Sequence, residues 1–174
     1  MAGRASVTRT ETGDGGYVYK LEHGRLTVSA PNGSPGSLGS AVIWQSDAGW
    51  WIDDFRLGDV DGDGRQDFVF SLWKSYRFGD SHPARMDNSD DTVRNHLFVD
   101  TVIGGHVKSI WASSDLPRPI YSFRLDPKGQ KTVVSSGMLL RTQEGKYRND
   151  FARTRSSGYI YRWEKWGFVE VGKD

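Results

Sequence analysis

The sequence predicts an all-β protein built of repeated antiparallel units, and three observations carry that expectation. First, 7 Trp, 7 Tyr and 8 Phe accompany 21 Gly in 174 residues, and strand-favouring aromatics together with turn formers suit sheets. Second, short apolar runs alternate with turn signals, and few segments follow a helical period. Third, motifs recur in order along the chain. Ile43-Trp44-Gln45-Ser46 returns as Ile110-Trp111-Ala112-Ser113, and Phe55-Arg56-Leu57 returns as Phe123-Arg124-Leu125.

Taken in order, the elements form units. Tyr17 to Val28 reads as a hairpin, followed by the apolar Ile43-Trp44 run. Trp50 to Leu57 and Phe68 to Trp73 are aromatic and β-branched runs flanking an Asp/Gly loop, so together they read as a second hairpin. The first unit therefore spans 17–75. A polar stretch, 76–95, carries Arg77, Asp80, His82, Arg85, Asp87, Asp90 and Asp91 and reads as an excursion between units. A second unit, 96–141, opens with His96 to Val107, and a loop, 142–157, follows it. Residues 158–174, with Tyr159 to Val171, read as half of a third unit. Repeats at this spacing, about two and a half of them, are propeller-like. A ring of blades usually needs roughly four or more. The count therefore implies an incomplete propeller, a segment of a larger one, one completed by oligomerisation, or an open β fold.

The most specific stretch is Gly58-Asp59-Val60-Asp61-Gly62-Asp63-Gly64-Arg65-Gln66-Asp67. Counted from Asp59, its carboxylates stand at positions 1, 3, 5 and 9. Hard cations take cages of oxygen ligands, and closely spaced Asp side chains on a tight turn supply them. Arg65, at position 7, can offer only its backbone carbonyl. Gly62 and Gly64 permit the backbone angles of such a turn. An Asp/Gly turn that binds nothing is the plain alternative, but four like charges in nine residues repel one another without a cation. The oxygen set suits Ca²⁺, and Mg²⁺ and Mn²⁺ take similar ligands. An EF-hand is excluded, because position 12 is Phe70 rather than Glu and the flanks are strands.

Strand, Gly-Asp-Val-Asp-Gly-Asp-Gly-x-x-Asp, apolar strand: this order resembles the FG-GAP/VCBS repeat of integrin-type β-propellers. The resemblance implies Ca²⁺ held by Asp59, Asp61, Asp63 and Asp67, with the Arg65 carbonyl as a fifth ligand. It also implies a non-catalytic adhesion, scaffold or recognition module in an extracellular or cell-envelope setting. The sharp part covers about ten residues, and the internal repeat extends a weaker likeness over about two thirds of the chain. The corresponding turn of the second unit, Leu125 to Val134, keeps only Asp126 and gains Lys128 and Lys131. One metal site per chain is the expectation.

A formal charge of +1, from 23 basic and 22 acidic residues, gives no basis for nucleic-acid binding. The local basic run Arg148 to Arg155 reads as a solvated loop. Without cysteine there is no disulfide framework or thiolate chemistry. No segment is apolar enough to span a membrane, and no apolar signal region follows Met1, so either a leader has been removed, which is the expectation, or the protein is cytosolic.

No Gly-x-Ser-x-Gly elbow, phosphate loop or His-Glu-x-x-His motif is present, which argues against an enzyme. A hydrolase would use His82 or His96 beside the 76–95 loop. Asp53 or Asp54 could pair with another carboxylate, as glycoside hydrolysis requires, but the expectation is that one faces solvent and the other caps a turn. The first alternative, ahead of the hydrolase, is a carbohydrate-binding lectin. Trp50, Trp51, Trp163 and Trp166 fall near predicted hairpin ends where rings could stack on sugars, whereas Trp44, Trp73 and Trp111 read as core. Protein or carbohydrate ligands and a homo-oligomer are the partners this reading admits.

Overall fold

The computed structural model describes residues 7–31, 41–75, 93–116, 119–120, 122–125, 132–137 and 157–173. These form an all-β structure of three four-stranded antiparallel sheets, each a simple meander. The first sheet contains β1 (Arg9–Thr12), β2 (Val18–Glu22), β3 (Arg25–Ser29) and β4 (Val42–Gln45). The second contains β5 (Trp51–Gly58), β6 (Asp67–Ser75), β7 (Val93–Ile103) and β8 (His106–Ala112). The third contains β9 (Ser122–Leu125), β10 (Thr132–Gly137), β11 (Ser157–Glu164) and β12 (Gly167–Lys173).

Side-chain alternation sets the layering. Tyr19 and Leu21 on β2, with Leu26 and Val28 on β3, point to one face and are buried. The intervening Lys20 and Glu22 pair on the outer face at 2.7 Å. One face apolar and one polar is the pattern of a sheet solvated on one side. The second sheet differs because it lies in the middle. Every residue of β6 from Asp67 to Trp73 is buried. Phe68, Phe70 and Leu72 join the first sheet's apolar face, while Val69 joins the face turned to the third sheet. There, Leu97 and Val99 meet Phe123, Tyr159, Tyr161 and Phe168.

The β2–β3 connection shows how local chemistry fixes register. His23 (φ 50°) and Gly24 (φ 74°) form the two-residue turn, a connection whose twist matches that of the strands. Glycine is required there twice over, because a Cβ on Gly24 would also lie 2.5 Å from the Trp51 ring.

The sheets are phased differently from the units read in the sequence. The Ile-Trp matches occupy β4 and the end of β8, the last strands of consecutive sheets. The Phe-Arg-Leu matches occupy β5 and β9, the first strands of the sheets that follow. The repeat is therefore structurally equivalent in both places, but it straddles sheet boundaries, so unit 17–75 takes strands from two sheets. Stretches 76–95 and 142–157 do not link units. Each falls within one sheet: 76–95 ends in the first residues of β7, which pairs with β6, and 142–157 ends at the first residue of β11, which pairs with β10. The closing half unit is likewise part of a complete four-stranded sheet.

One buried ionic junction joins all three sheets. Asp54, 4% exposed, accepts hydrogen bonds from the Arg9 guanidinium on β1 (3.0 Å), from Arg56 on its own strand, and from the Phe55 (3.0 Å) and Phe123 (3.4 Å) amides. Arg56 also lies over the Phe123 ring at 5.5 Å. Among the described residues, no helix is long and apolar enough to cross a membrane.

Candidate metal centre

The loop between β5 and β6 is shaped by its own carboxylates. Asp59 accepts the amides of Gly62 (2.7 Å) and Gly64 (3.0 Å). Asp61 accepts the Asp63 amide at 3.0 Å, and Asp63 accepts the Arg65 amide at 2.8 Å. These are the short Asp-to-backbone bonds that stabilise turns. Gly62 (φ 80°) and Gly64 (φ 85°) take left-handed angles that bulkier residues resist.

This winding brings Asp59, Asp61 and Asp67 together, with one ligand oxygen from each lying within 4.8 Å of the others. Oxygens bound to Ca²⁺ at about 2.4 Å can be at most about 4.8 Å apart, so the grouping has the dimensions of a coordination sphere. Asp67 opens β6 and is 0% exposed. Its Oδ2 accepts the Val60 amide at 3.0 Å, while its Oδ1 is buried with no hydrogen-bond partner. Burying a carboxylate oxygen without a partner is costly. The Asp67 pKa accordingly rises from 3.8 to about 6, chiefly through burial. The Val60 amide opposes the rise, the nearby Asp61 and Asp63 charges add to it, and the Thr101 hydroxyl, whose own bond goes to the Gln66 carbonyl at 3.3 Å, eases it slightly. A cation among the three carboxylates would satisfy Oδ1 and remove their repulsion. The residues present fit a divalent ion.

One of the expected carboxylate ligands is not part of this group. Asp63 turns outward to pair with the exposed Arg65 guanidinium, so it stands outside the three-carboxylate group. Arg65 neutralises that carboxylate locally, which position counting along the loop could not show. The loop is also tied to both neighbouring sheets. Gln66 Oε1 accepts the Asp14 amide of the β1–β2 connection at 3.0 Å. Val60, held between two of the carboxylates, is 0% exposed and belongs to the core between the second and third sheets.

The four candidate sugar-stacking tryptophans do not form one platform. Trp50 packs edge-on against Phe98, with ring centroids 5.5 Å apart, in the first core. Trp51 covers Gly24. Trp163 packs edge-on against Phe168 at 5.3 Å in the second core. Trp166 alone of the four projects freely, 73% exposed at the β11–β12 turn.

Asp53 and Asp54, of which one was expected to face solvent and the other to cap a turn, both have specific partners. Asp53 accepts the Trp73 indole N–H at 2.6 Å, and Asp54 is the buried junction described above rather than a solvent-facing or turn-capping group. Its pKa rises to about 6 because burial outweighs the opposing Arg9 charge and the Phe123 and Phe55 amides. His96 is buried, with Nδ1 3.2 Å from the Ser113 carbonyl and Nε2 without a partner. Burial holds its pKa below the usual value, so the ring is neutral. His82, Asp126, Lys128, Lys131 and the Arg148–Arg155 run lie outside the described residues. Comparison of the chain with known protein families, curated proteins and solved structures finds no match.

Proposed function

We propose that this chain is a calcium-binding β-repeat protein of FG-GAP/VCBS type that acts non-catalytically, as an adhesion, scaffold or recognition module in an extracellular or envelope setting. The observation that carries the proposal is the buried, partnerless Oδ1 of Asp67 in a group with Asp59 and Asp61. Together the three carboxylates supply hard oxygen ligands. Asp59 and Asp61 also bond loop amides, so the turns that carry them are held by the backbone. The ion's role is structural: it neutralises a repelling loop and ties the start of β6 to the end of β5.

Thermal unfolding with Ca²⁺ and with chelator tests this. An ion binding only the folded state adds about 2.7 kcal/mol at one hundred times its Kd, or roughly 5–10 °C for a chain of this size. Asp61→Ala is expected to abolish the shift. A shift that persists in that variant would remove these residues as the ligands.

Carbohydrate recognition is a second reading, favoured by one observation, the exposed Trp166 ring. Glycan binding lost in Trp166→Ala, with unfolding unchanged, would support it.

A further inference from the structure

Val60 gives the metal loop a reach beyond its own hairpin. The residue sits between Asp59 and Asp61, and its amide is held by Asp67 at 3.0 Å. Its side chain is fully buried with Val69, Leu97 and Val99 of the second sheet and with Phe123, Tyr159, Tyr161 and Phe168 of the third. An apolar side chain from a charged loop thus helps form the seam between two sheets. The backbone position that seats Val60 is the same one that gathers the three carboxylates. Asp67 joins the two functions, with Oδ2 on the Val60 amide and Oδ1 left for the group.

Resting on the metal reading above, we infer that cation binding at Asp59, Asp61 and Asp67 controls the docking of the third sheet onto the second, with Val60 as the coupling residue. Without the ion, repulsion among the carboxylates favours a wider loop and withdraws Val60 from the seam. With the ion, the loop closes and Val60 fills its place. By linkage, docking of the third sheet must raise affinity for the ion by the same factor that the ion favours docking. The chain thereby carries a calcium-dependent joint: the face formed across the second and third sheets is complete only where the cation is abundant.

The test pairs calorimetric titration with Ca²⁺ and amide hydrogen exchange of the whole chain, in the parent protein and in Val60→Ala. Ca²⁺ at one hundred times its Kd is expected to slow exchange in β11 and β12 by up to about 100-fold. It should slow β2 and β3 less, because they share no buried cluster with Val60. In Val60→Ala, Ca²⁺ should still bind, more weakly, and the extra protection of β11 and β12 should vanish. Phe168→Leu probes the same seam from the third sheet if Val60→Ala does not fold. Calorimetric binding with protection confined to the loop and β5–β6, or equal in all sheets, would overturn the coupling while leaving the metal site standing. Absence of calorimetric binding would overturn the metal reading and the coupling with it.

Discussion

Replacing Asp67 with Asn separates the charge of this buried carboxylate from its shape. Asn Oδ1 can accept the Val60 amide as Asp67 Oδ2 does, leaving the amide NH₂ where Oδ1 has no partner. An oxygen each of Asp59 and Asp61 falls within 4.8 Å of an Asp67 carboxylate oxygen, so that NH₂ has carboxylate acceptors close by. Burial lifts the Asp67 pKa from 3.8 to about 6. A lift of that size corresponds to about 3 kcal/mol of cost for the ionised form at neutral pH. Solvent screening at the loop reduces this to about 1–2 kcal/mol. In chelator at pH 7, Asp67→Asn should therefore raise the melting temperature by about 2–8 °C. In Ca²⁺ it should lose the metal-linked gain and melt below the parent protein. Differential scanning calorimetry in both buffers reads the two effects. A variant that melts lower than the parent in chelator would show that Asp67 is held by packing and hydrogen bonding, and would refute the argument from unpaired charge.

Acidification provides a related check. Asp67, Asp54 and Asp100 each have a folded-state pKa raised to about 6, in every case chiefly by burial. The folded state therefore holds protons more tightly than the unfolded state, and stability in chelator should rise as pH falls from 7 towards 5. Protons compete with the cation for Asp67, so the Ca²⁺-induced shift in melting temperature should shrink over the same range. Gly24→Ala combines a positive φ with a 2.5 Å approach to the Trp51 ring; it should cost about 2–4 kcal/mol, measured by urea unfolding. Phe168→Ala, in the second core, should cost about 3–5 kcal/mol, whereas Trp166→Ala at its exposed turn should stay within about 0.5 kcal/mol.

How much was legible in the sequence depended on how local each feature is. The Asp59–Asp67 loop was readable because its geometry arises from neighbours in the chain: alternate Asp residues bond the next amides and the glycines take the left-handed angles. Strands such as Phe68–Trp73 were readable from their apolar content. Their burial on both faces was not, since it follows from the second sheet lying between two others. The Ile-Trp and Phe-Arg-Leu matches correctly marked equivalent strands. They fall on either side of a sheet boundary, however, so units drawn through them were out of phase with the sheets. Asp54 was unreadable in principle, because its partners Arg9 and Phe123 lie 45 and 69 residues away. Arg65 was visible in the sequence, but its capture of Asp63 depends on which way two side chains turn at an exposed tip. The one sequence signal for the seam was an apolar residue, Val60, set among the carboxylates.

Native mass spectrometry of the chain equilibrated with Ca²⁺ tests the central claim most directly. The account predicts one ion per chain in the parent protein and none in Asp61→Ala or Asp67→Asn, with the folded charge-state distribution retained. A parent protein that carries no ion, or variants that keep one, would contradict it.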